Sequence, residues 1–290
     1  MELLINDVSK RFRKTDALKD ISISFTPGIY GILGRNGAGK TTLFRLITHL
    51  LEPTSGTISL TDGDGSTSKY DRCIGYMPQE FGFPGHLTVK EVLEQICIMR
   101  GIKRSEIKKE ITEKAKEVGL ADRLNSKFAS LSGGMKRRLG IAQALIGDPS
   151  VLILDEPTAG VDPVERVAIR SIINEYAVDR IVLVSTHIIS DIEQICERLV
   201  VLEAGKMSFN GTVSELINMA RSRLSKLMFK DITDFENYLK HNHIYTFRRV
   251  DDSLEVIVPK QNGSELSFDI CLEDAYMWVI SHENNKNFTE

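Results

Sequence analysis

A glycine-rich segment near the start of the chain has the residue types of a phosphate-binding loop. Residues 34–41, GRNGAGKT, combine three glycines with a lysine and a threonine. Glycines let successive backbone N–H groups surround phosphate oxygens, and a helix N-terminus reinforces such an anion site. Lys40 would place its charge at the β- and γ-phosphates, and the Thr41 hydroxyl can bind Mg²⁺. The residues expected to contact a nucleotide here are Gly34, Arg35, Asn36, Gly37, Ala38, Gly39, Lys40, Thr41 and Thr42.

A second group with chemical potential is the acidic pair Asp155 and Glu156, which follows the apolar run 151–154. This run predicts a buried strand, and ligands bind beyond the carboxyl ends of strands in parallel α/β sheets. We therefore expect Asp155 to hold Mg²⁺, directly or through water. Glu156 is the candidate general base that polarises the attacking water in phosphoryl transfer. The alternative is an exposed acidic pair that closes a strand, and the phosphate loop on the same predicted sheet disfavours it.

The phosphate loop needs a strand before it and a helix after it, and the sequence predicts both. Residues 29–33 form a short apolar run, and apolar residues recur at helical spacing from Lys40 to Leu50. Further on, the continuous apolar runs 151–154 and 181–185 flank a helix that begins near Pro163, which suits a first-turn position. Such runs alternating with helices indicate an α/β fold with parallel strands covered on both faces.

Other segments have different patterns. Apolar and polar residues alternate over residues 3–8 and 21–25, which predicts half-exposed strands at the start of the chain. The Gly, Asp and Ser cluster at residues 62–68 predicts an exposed loop. Residues 88–146 carry helical periodicity, with Gly119 as a C-cap, and form a predicted helical insert between two halves of the sheet.

A smaller-scale pattern begins near residue 220, where we place a domain boundary. Residues 1–220 form the predicted nucleotide-binding domain, and residues 221–290 form a small C-terminal α+β accessory segment. Its predicted elements are helices at 232–240 and 272–280 and a strand pair at 244–250 and 254–258.

Composition excludes several classes of protein. The chain has 37 Lys and Arg against 40 Asp and Glu, a formal charge of −3, which argues against nucleic acid as a partner. The four cysteines are scattered, without the paired spacing of zinc sites or thiol redox motifs. No run approaches the roughly 20 apolar residues that span a bilayer. If the chain powers transport, the membrane pathway is expected to belong to another polypeptide.

Residues 131–135, LSGGM, narrow the choice among nucleotide-binding proteins. Together with the phosphate loop and the acidic pair, they resemble the signature of the ATP-binding cassette, a P-loop NTPase family, and the resemblance covers about residues 1–215. It implies a cassette with an antiparallel β subdomain, and ATP with Mg²⁺ as ligands. It also implies a head-to-tail dimer in which Leu131, Ser132, Gly133, Gly134 and Met135 face the ATP of the opposite subunit. The family usually has glutamine where this chain has Met135, so any contact from that amide is lost. Ser132 is equally a candidate N-cap of the following helix.

The resemblance also assigns roles to four residues outside these segments. Gln79 matches the Q-loop glutamine that contacts Mg²⁺ or the attacking water, and His187 matches the switch histidine at the γ-phosphate. Asp162 matches the D-loop that crosses to the other subunit, and Phe12 is placed like the aromatic residue on which adenine stacks. Taken singly, each has a plainer interpretation. Gln79 could be a polar loop residue and His187 a surface histidine. Asp162 could be a helix cap and Phe12 a core aromatic residue. Their joint order favours the family roles.

Two segments, one next to residues 131–135 and one next to Gln79, each allow two interpretations. The basic cluster 136–138 is either a nucleic-acid contact or, as the resemblance favours, a solvated helix face. The apolar segment 81–85 is predicted to be exposed, which suits a partner's helix. Its alternative is a loop folded onto its own core.

The resemblance favours the ATPase subunit of a transporter whose transmembrane permease is a separate chain. The short sequences around Gln79, Ser132 and Glu156 are similar to those of bacterial ABC-2 type exporters of antibiotics, lantibiotics and other drugs. The expected assembly is a homodimer bound to the permease at the cytoplasmic face of the cell membrane. An importer ATPase is the alternative. A soluble cassette protein acting on ribosomes or DNA, or a small-molecule kinase, is disfavoured by the single cassette, the short insert and the LSGG segment.

Overall fold

A computed structural model describes residues 1–61, 70–260 and 268–286 of the 290-residue chain. Its strands are β1 (Glu2–Phe12), β2 (Thr15–Phe25), β3 (Gly28–Leu33), β4 (Ser55–Thr61), β5 (Ile74–Met77), β6 (Val151–Asp155), β7 (Ile181–Ser185), β8 (Arg198–Glu203), β9 (Lys206–Thr212), β10 (Leu224–Phe229), β11 (Thr246–Val250) and β12 (Ser253–Pro259). Its helices are α1 (Lys40–Ile47), α2 (Tyr70–Cys73), α3 (Val89–Met99), α4 (Arg104–Glu117), α5 (Gly133–Leu145), α6 (Pro163–Tyr176), α7 (Ile189–Ile195), α8 (Val213–Arg221), α9 (Ile232–Leu239) and α10 (Leu272–Lys286). The loop predicted at residues 62–68 lies outside the described residues.

Within this described part of the chain, the core sheet has six strands in the order β5-β6-β7-β3-β8-β9. All neighbouring pairs are parallel except β8 and β9. Strands β6 and β7 are buried along their whole length because helices and a second sheet cover both faces, which explains their continuous apolar sequences. The predicted α/β fold with a mostly parallel core sheet is confirmed.

A separate antiparallel sheet, in the order β2-β1-β4, lies beside the core sheet. Its inward residues, including Leu3, Ile5 and Phe25, share a hydrophobic cluster with Leu43 and Phe44 of α1. Helix α1 is thus held between the two sheets, and this packing fixes the direction in which the helix leaves the phosphate loop. The expected antiparallel β subdomain is confirmed.

The segment between β5 and β6 contains α3, α4 and α5, as the periodicity of residues 88–146 predicts. Thr88 and Glu91 form a reciprocal capping box at the start of α3. Helix α4 ends at Glu117 and is followed by Gly119 at φ +66°, the left-handed conformation that glycine adopts at a helix C-terminus. Among the described residues, no helix combines the length and the apolar character that crossing a bilayer requires.

The C-terminal segment forms a third sheet, in the order β10-β12-β11, covered by α9. Strand β10 is not among the predicted elements, because its six residues include Ser225 and Lys226 and therefore alternate weakly. Its pairing with β12 along its full length stabilises it. Helix α10 returns to the main body, where Leu272 and Ala275 are buried in the core beside α7 and α8.

Candidate functional site

The phosphate loop joins β3 to α1 and surrounds a cavity of about 290 Å³. Gly37 and Gly39 adopt φ values of +84° and +110°, which side-chain-bearing residues rarely adopt. A Cβ on Gly39 would also lie 2.8 Å from the carbonyl oxygen of Ala17. The loop geometry therefore depends on these glycines. The cavity is lined by Ala17, Arg35, Asn36, Gly37, Ala38, Gly39, Lys40, Thr41, Thr42, Gln79, Asp155 and Glu156.

Lys40 lies at the base of this cavity with only 8% of its surface exposed. Its Nζ donates to the carbonyl oxygens of Gly34 at 2.6 Å and Arg35 at 3.3 Å. Burial lowers the pKa of Lys40, and the negative charges of Glu156, Asp155 and Glu203 oppose that shift. The ammonium is thus held by the loop itself, and phosphate oxygens entering the loop would replace these carbonyls.

Asp155 ends strand β6 directly beside the first turn of α1. Thr41 Oγ1 donates to Asp155 Oδ2 at 2.8 Å, and Ser185 Oγ donates to Asp155 Oδ1. A hydroxyl and a carboxylate oxygen are the hard ligands that Mg²⁺ uses together with water and substrate phosphates. This donor set suits Mg²⁺ even though, within the described residues, no three His, Cys, Asp or Glu side chains cluster as a metal site.

Ser185 is a residue of this site to which the sequence analysis assigned no role. It lies opposite Asp155 in the parallel register of β6 and β7. Both its backbone carbonyl and its hydroxyl oxygen are 3.1 Å from the Glu156 backbone nitrogen, which donates to them. The parallel pairing of the two predicted strands would have placed it there, because the carboxyl ends of parallel strands lie at one edge.

Glu156 and His187 meet at the same edge of the sheet. His187 Nδ1 lies 2.8 Å from Glu156 Oε2, and because a carboxylate only accepts, the ring donates through Nδ1. The Glu156 side chain is 6% exposed, whereas the His187 ring is 62% exposed. Glu156 adopts φ +55°, a strained conformation for a residue with a side chain, and such strain is concentrated at functional sites. The pair presents a buried carboxylate beside an accessible imidazole ring.

Gln79 follows β5 and lines the phosphate-loop cavity, as the Q-loop assignment requires. Its carbonyl oxygen accepts from Arg137 Nη1 of α5 at 2.8 Å. Burial lowers the pKa of Arg137, with Glu156 and Asp155 opposing the shift. The loop that carries Gln79, here called the glutamine loop, is therefore tied to the first turns of α5.

The basic cluster 136–138 is not a solvated helix face, and that prediction was wrong. Lys136 Nζ lies 5.2 Å from the centre of the Phe128 ring, and Arg138 Nε lies 3.0 Å from Glu165 Oε2. Arg138 also donates to the carbonyl oxygens of Val118 and Gly119. These side chains are half-buried because they connect α5 to α4, α6 and the glutamine loop.

Residues 131–135 lead into α5 and include its first three residues, and they do not line the chain's own phosphate-loop cavity. Ser132 is the N-cap: its Oγ accepts from the Met135 backbone N–H at 3.1 Å. Ser132 and Gly133 are exposed, while the Met135 side chain packs partly against the main core. Asp162 similarly caps α6, with Oδ1 accepting from the N–H groups of Val164 and Glu165, and Pro163 occupies the first turn as predicted.

Phe12 ends β1 and is 43% exposed. The plainer interpretation, a core aromatic residue, is therefore wrong. Lys10 Nζ lies 5.2 Å from the ring centre. The strand that follows contains Ala17, which lines the phosphate-loop cavity, so an exposed ring is present on the same subdomain as one wall of that cavity.

The apolar segment 81–85 is less exposed than predicted. The Phe81 ring is half-buried over Gly140, and the Phe83 ring meets Phe128 edge-on with centres 5.5 Å apart. A groove of about 380 Å³ remains beside Phe81. It is lined by Gln79, Glu80, Phe81, Phe128, Gly133, Lys136, Arg137, Ala159, Gly160 and Val161.

Comparison with known proteins places these features in context. The family model described as "ABC transporter" matches residues 18–159. The uncharacterised ABC transporter ATP-binding protein YxlF of Bacillus subtilis is 36% identical over 230 residues, 79% of this chain and 77% of that protein. The ABC transporter ATP-binding protein NatA of the same species is 32% identical over 76% of this chain and 93% of its own length. The methionine import ATP-binding protein MetN of Vibrio vulnificus is 34% identical over 79% of this chain and 71% of its own length.

Solved structures agree with the sequence matches. An ATP-binding subunit of an ABC transporter superposes with a TM-score of 0.66 at 29% identity, covering 76% of this chain and 93% of that chain. The cassette MJ0796, solved as a dimer in a post-hydrolysis state with ADP and Pi, superposes with a TM-score of 0.64 at 25% identity, covering 72% of this chain and 98% of that chain.

Proposed function

The chain belongs to the ATP-binding cassette family of transporter ATPases, and we propose that it is the ATP-hydrolysing subunit driving a separate membrane permease. The family hydrolyses ATP, so the chain is an enzyme of this class. The observation that supports the site assignment most directly is the meeting of the Thr41–Asp155 pair and the Glu156–His187 pair at one edge of the core sheet, beside the phosphate loop.

The proposed chemistry assigns one task to each of these side chains. Lys40 and the loop N–H groups bind the β- and γ-phosphates. Thr41 and Asp155 would hold Mg²⁺, with Gln79 as a further oxygen ligand, and the bound ion would neutralise phosphate charge. Glu156 accepts the proton of the attacking water, and burial keeps its carboxylate oriented. His187, held by its Nδ1 contact to Glu156, presents its ring at the γ-phosphate.

We propose that the active unit is a head-to-tail homodimer around two ATP molecules. Ser132 and Gly133 lie exposed and do not line the chain's own phosphate-loop cavity, so the serine hydroxyl and the helix N-terminus are available to a second copy. The dimeric form of MJ0796 supports this arrangement. Asp162, exposed at the start of α6, would lie at the same interface.

The permease is proposed to dock at the groove beside Phe81. Its walls come from the glutamine loop, from α5 and from residues 159–161, three segments that carry or adjoin proposed site residues. A helix seated there would therefore sense ATP binding and hydrolysis directly. In this proposal the chain is a peripheral protein at the cytoplasmic face of the cell membrane.

Export is the proposed direction of transport. It is supported by the similarity of the sequences around Gln79, Ser132 and Glu156 to ABC-2 type exporters. Import is the second candidate, and the 34% identity to a methionine import ATPase favours it. Both directions use the same catalytic residues, so the ATP site does not discriminate between them.

Reconstitution with the permease tests this proposal. We expect the chain, co-expressed with the membrane protein of a neighbouring reading frame, to co-purify with it and to hydrolyse ATP faster in liposomes than alone. Glu156→Gln should assemble equally well but drive no transport, which makes it the matched control. Flux toward the ATP side would establish import, and a chain whose turnover ignores every co-purified membrane protein would contradict the transport role.

The proposed stacking of adenine on Phe12 predicts a moderate change in ATP affinity when the ring is removed. Because a base–aromatic stack contributes about 1–3 kcal/mol, Phe12→Ala should weaken ATP binding by roughly tenfold, and Phe12→Tyr should restore it. Isothermal titration with ATP and with inorganic tripolyphosphate separates the base from the phosphates. An equal loss for both ligands would remove Phe12 from the adenine site.

The proposed domain organisation is a cassette over residues 1–220 and an accessory segment over 221–290. Its support is the separate hydrophobic cluster of Phe235, Val256 and Val258, which joins α9 to the third sheet. The accessory segment nevertheless contributes α10 to the main core.

A further inference from the structure

A second cavity, of about 410 Å³, adjoins the phosphate-loop cavity and shares Arg35, Asn36, Gln79 and Glu156 with it. The start of the loop forms one wall, and the switch segment 186–189 forms another. The cavity is lined by Leu33, Gly34, Arg35, Asn36, Gln79, Glu156, Thr186, His187, Ile189 and Tyr276. Among the described residues of the accessory segment, Tyr276 is the one that lines this cavity, and no role follows for it from the family resemblance.

Helix α10 holds Tyr276 in this position through contacts at its first turn. The Leu272 N–H donates to Glu193 Oε1 of α7 at 3.1 Å. Because Leu272 and Tyr276 are four residues apart, they lie on one face of the helix. Helix α7 begins two residues after His187, so one face of α10 is held against the helix that directly follows the switch histidine.

The same helix is tied to the accessory sheet. Asp274 is fully buried and accepts from Thr246 Oγ1 of β11 and from Arg248 Nη1 at 3.1 Å. The Cys271 N–H also donates to Asp274 at 3.1 Å. Helix α10 therefore links the accessory sheet to the switch segment, and Tyr276 is the side chain of that helix that reaches the cavity.

The Tyr276 hydroxyl is available for a ligand. Within the part of the chain that the structure describes, Tyr276 makes no hydrogen bond, although only 9% of its surface is exposed. Burial raises the pKa of Tyr276, with Glu203 adding to the shift and Arg35 opposing it, so the hydroxyl stays protonated and can donate at neutral pH. A tyrosine whose ring is buried usually directs its hydroxyl to a polar partner, and the cavity that Tyr276 lines has room for one.

We propose that Tyr276 donates a hydrogen bond to the terminal phosphate of bound ATP, so that the accessory segment contributes a residue to the ATP site. The proposal rests on the proposed function of Glu156 and His187, whose side chains line the same cavity. ADP lacks the γ-phosphate and would leave the hydroxyl without its partner. The consequence is that α10, and with it the accessory sheet, distinguishes ATP from ADP.

The test compares two nucleotides on one background that cannot hydrolyse them. In a Glu156→Gln chain, Tyr276→Phe should weaken ATP binding about fivefold, the value expected for one hydrogen bond, and leave ADP binding unchanged. Phenylalanine keeps the packing, so the melting temperature should not move. Tyr245→Phe is the matched control, because Tyr245 is buried to 8% exposure in the same segment and does not line the cavity.

The outcomes separate this inference from the proposed function. Equal affinities for ATP with and without the Tyr276 hydroxyl would overturn the inference, as would an equal loss for ATP and ADP. A Glu156→Gln chain that binds no ATP at all would instead contradict the proposed function. A loss confined to ATP, absent in Tyr245→Phe, would support the hydrogen bond.

Discussion

Glu156→Gln should hydrolyse ATP at least about 100-fold more slowly than the natural chain, because positioned general bases contribute two to four orders of magnitude. Glutamine has nearly the same shape but cannot accept the proton of water. Nucleotide binding should survive, since Lys40, Thr41 and Asp155 are unchanged. The variant should therefore accumulate as an ATP-loaded dimer, measurable by size-exclusion chromatography with and without ATP, alongside steady-state phosphate release.

A matched control removes a carboxylate elsewhere. Glu175 is exposed on α6, where its Oε1 accepts from Ser171, and Glu175→Gln should leave turnover unchanged. Near-normal turnover in Glu156→Gln would transfer the role of general base to another residue. Loss of ATP binding in that variant would instead assign Glu156 to the nucleotide pocket rather than to the water.

Ser132→Arg should abolish turnover while leaving the ATP affinity of the monomer nearly intact. The serine is exposed, and it lies outside the cavity formed by its own phosphate loop, so in the proposed dimer it would contact the ATP of the second subunit. Arginine would place a long side chain at that interface. ATPase activity together with equilibrium nucleotide binding at concentrations below dimerisation measures the two effects separately. Reduced affinity in the isolated monomer would contradict this arrangement.

Ser132→Arg also removes the N-cap of α5, and this effect on stability needs its own control. Ser132 Oγ accepts from the Met135 N–H, and loss of such a cap costs about 1 kcal/mol of stability. Ser132→Ala loses the cap without adding bulk, so it should share the stability cost and retain more activity than Ser132→Arg. Thermal unfolding of both variants separates misfolding from the loss of the composite site.

Mixing the two inactive variants tests the head-to-tail geometry directly. In a mixed dimer, the Ser132→Arg chain supplies an intact Glu156 and the Glu156→Gln chain supplies an intact Ser132. These two residues would complete one site, so the mixture should regain part of the turnover that each variant lacks alone. No recovery, with mixed dimers demonstrated by a tagged chain, would exclude a site shared in this way.

The sequence predicted the elements whose signals are local. The glycine loop, the apolar runs 29–33 and 151–154 and the helical periodicity of residues 88–146 each depend on residues close in the chain. Hydrophobic periodicity reports which face of an element is buried, so these strands and helices were identified together with the α/β class. Prediction failed where the periodicity is weak. Strand β10 is the example, because its pairing partner β12 is more than twenty residues away in the chain.

The sequence by itself determined the residue types for phosphate binding, because a glycine loop with Lys40 and Thr41 works through neighbouring backbone groups. The tertiary structure decided which distant side chains complete the site. It placed Ser185 on Asp155 across 30 residues, and it buried Arg138 against Glu165 where a solvated face was expected. It also brought Tyr276 to the cavity of His187. Such contacts follow from strand register and helix packing, and a single sequence carries little local signal for either.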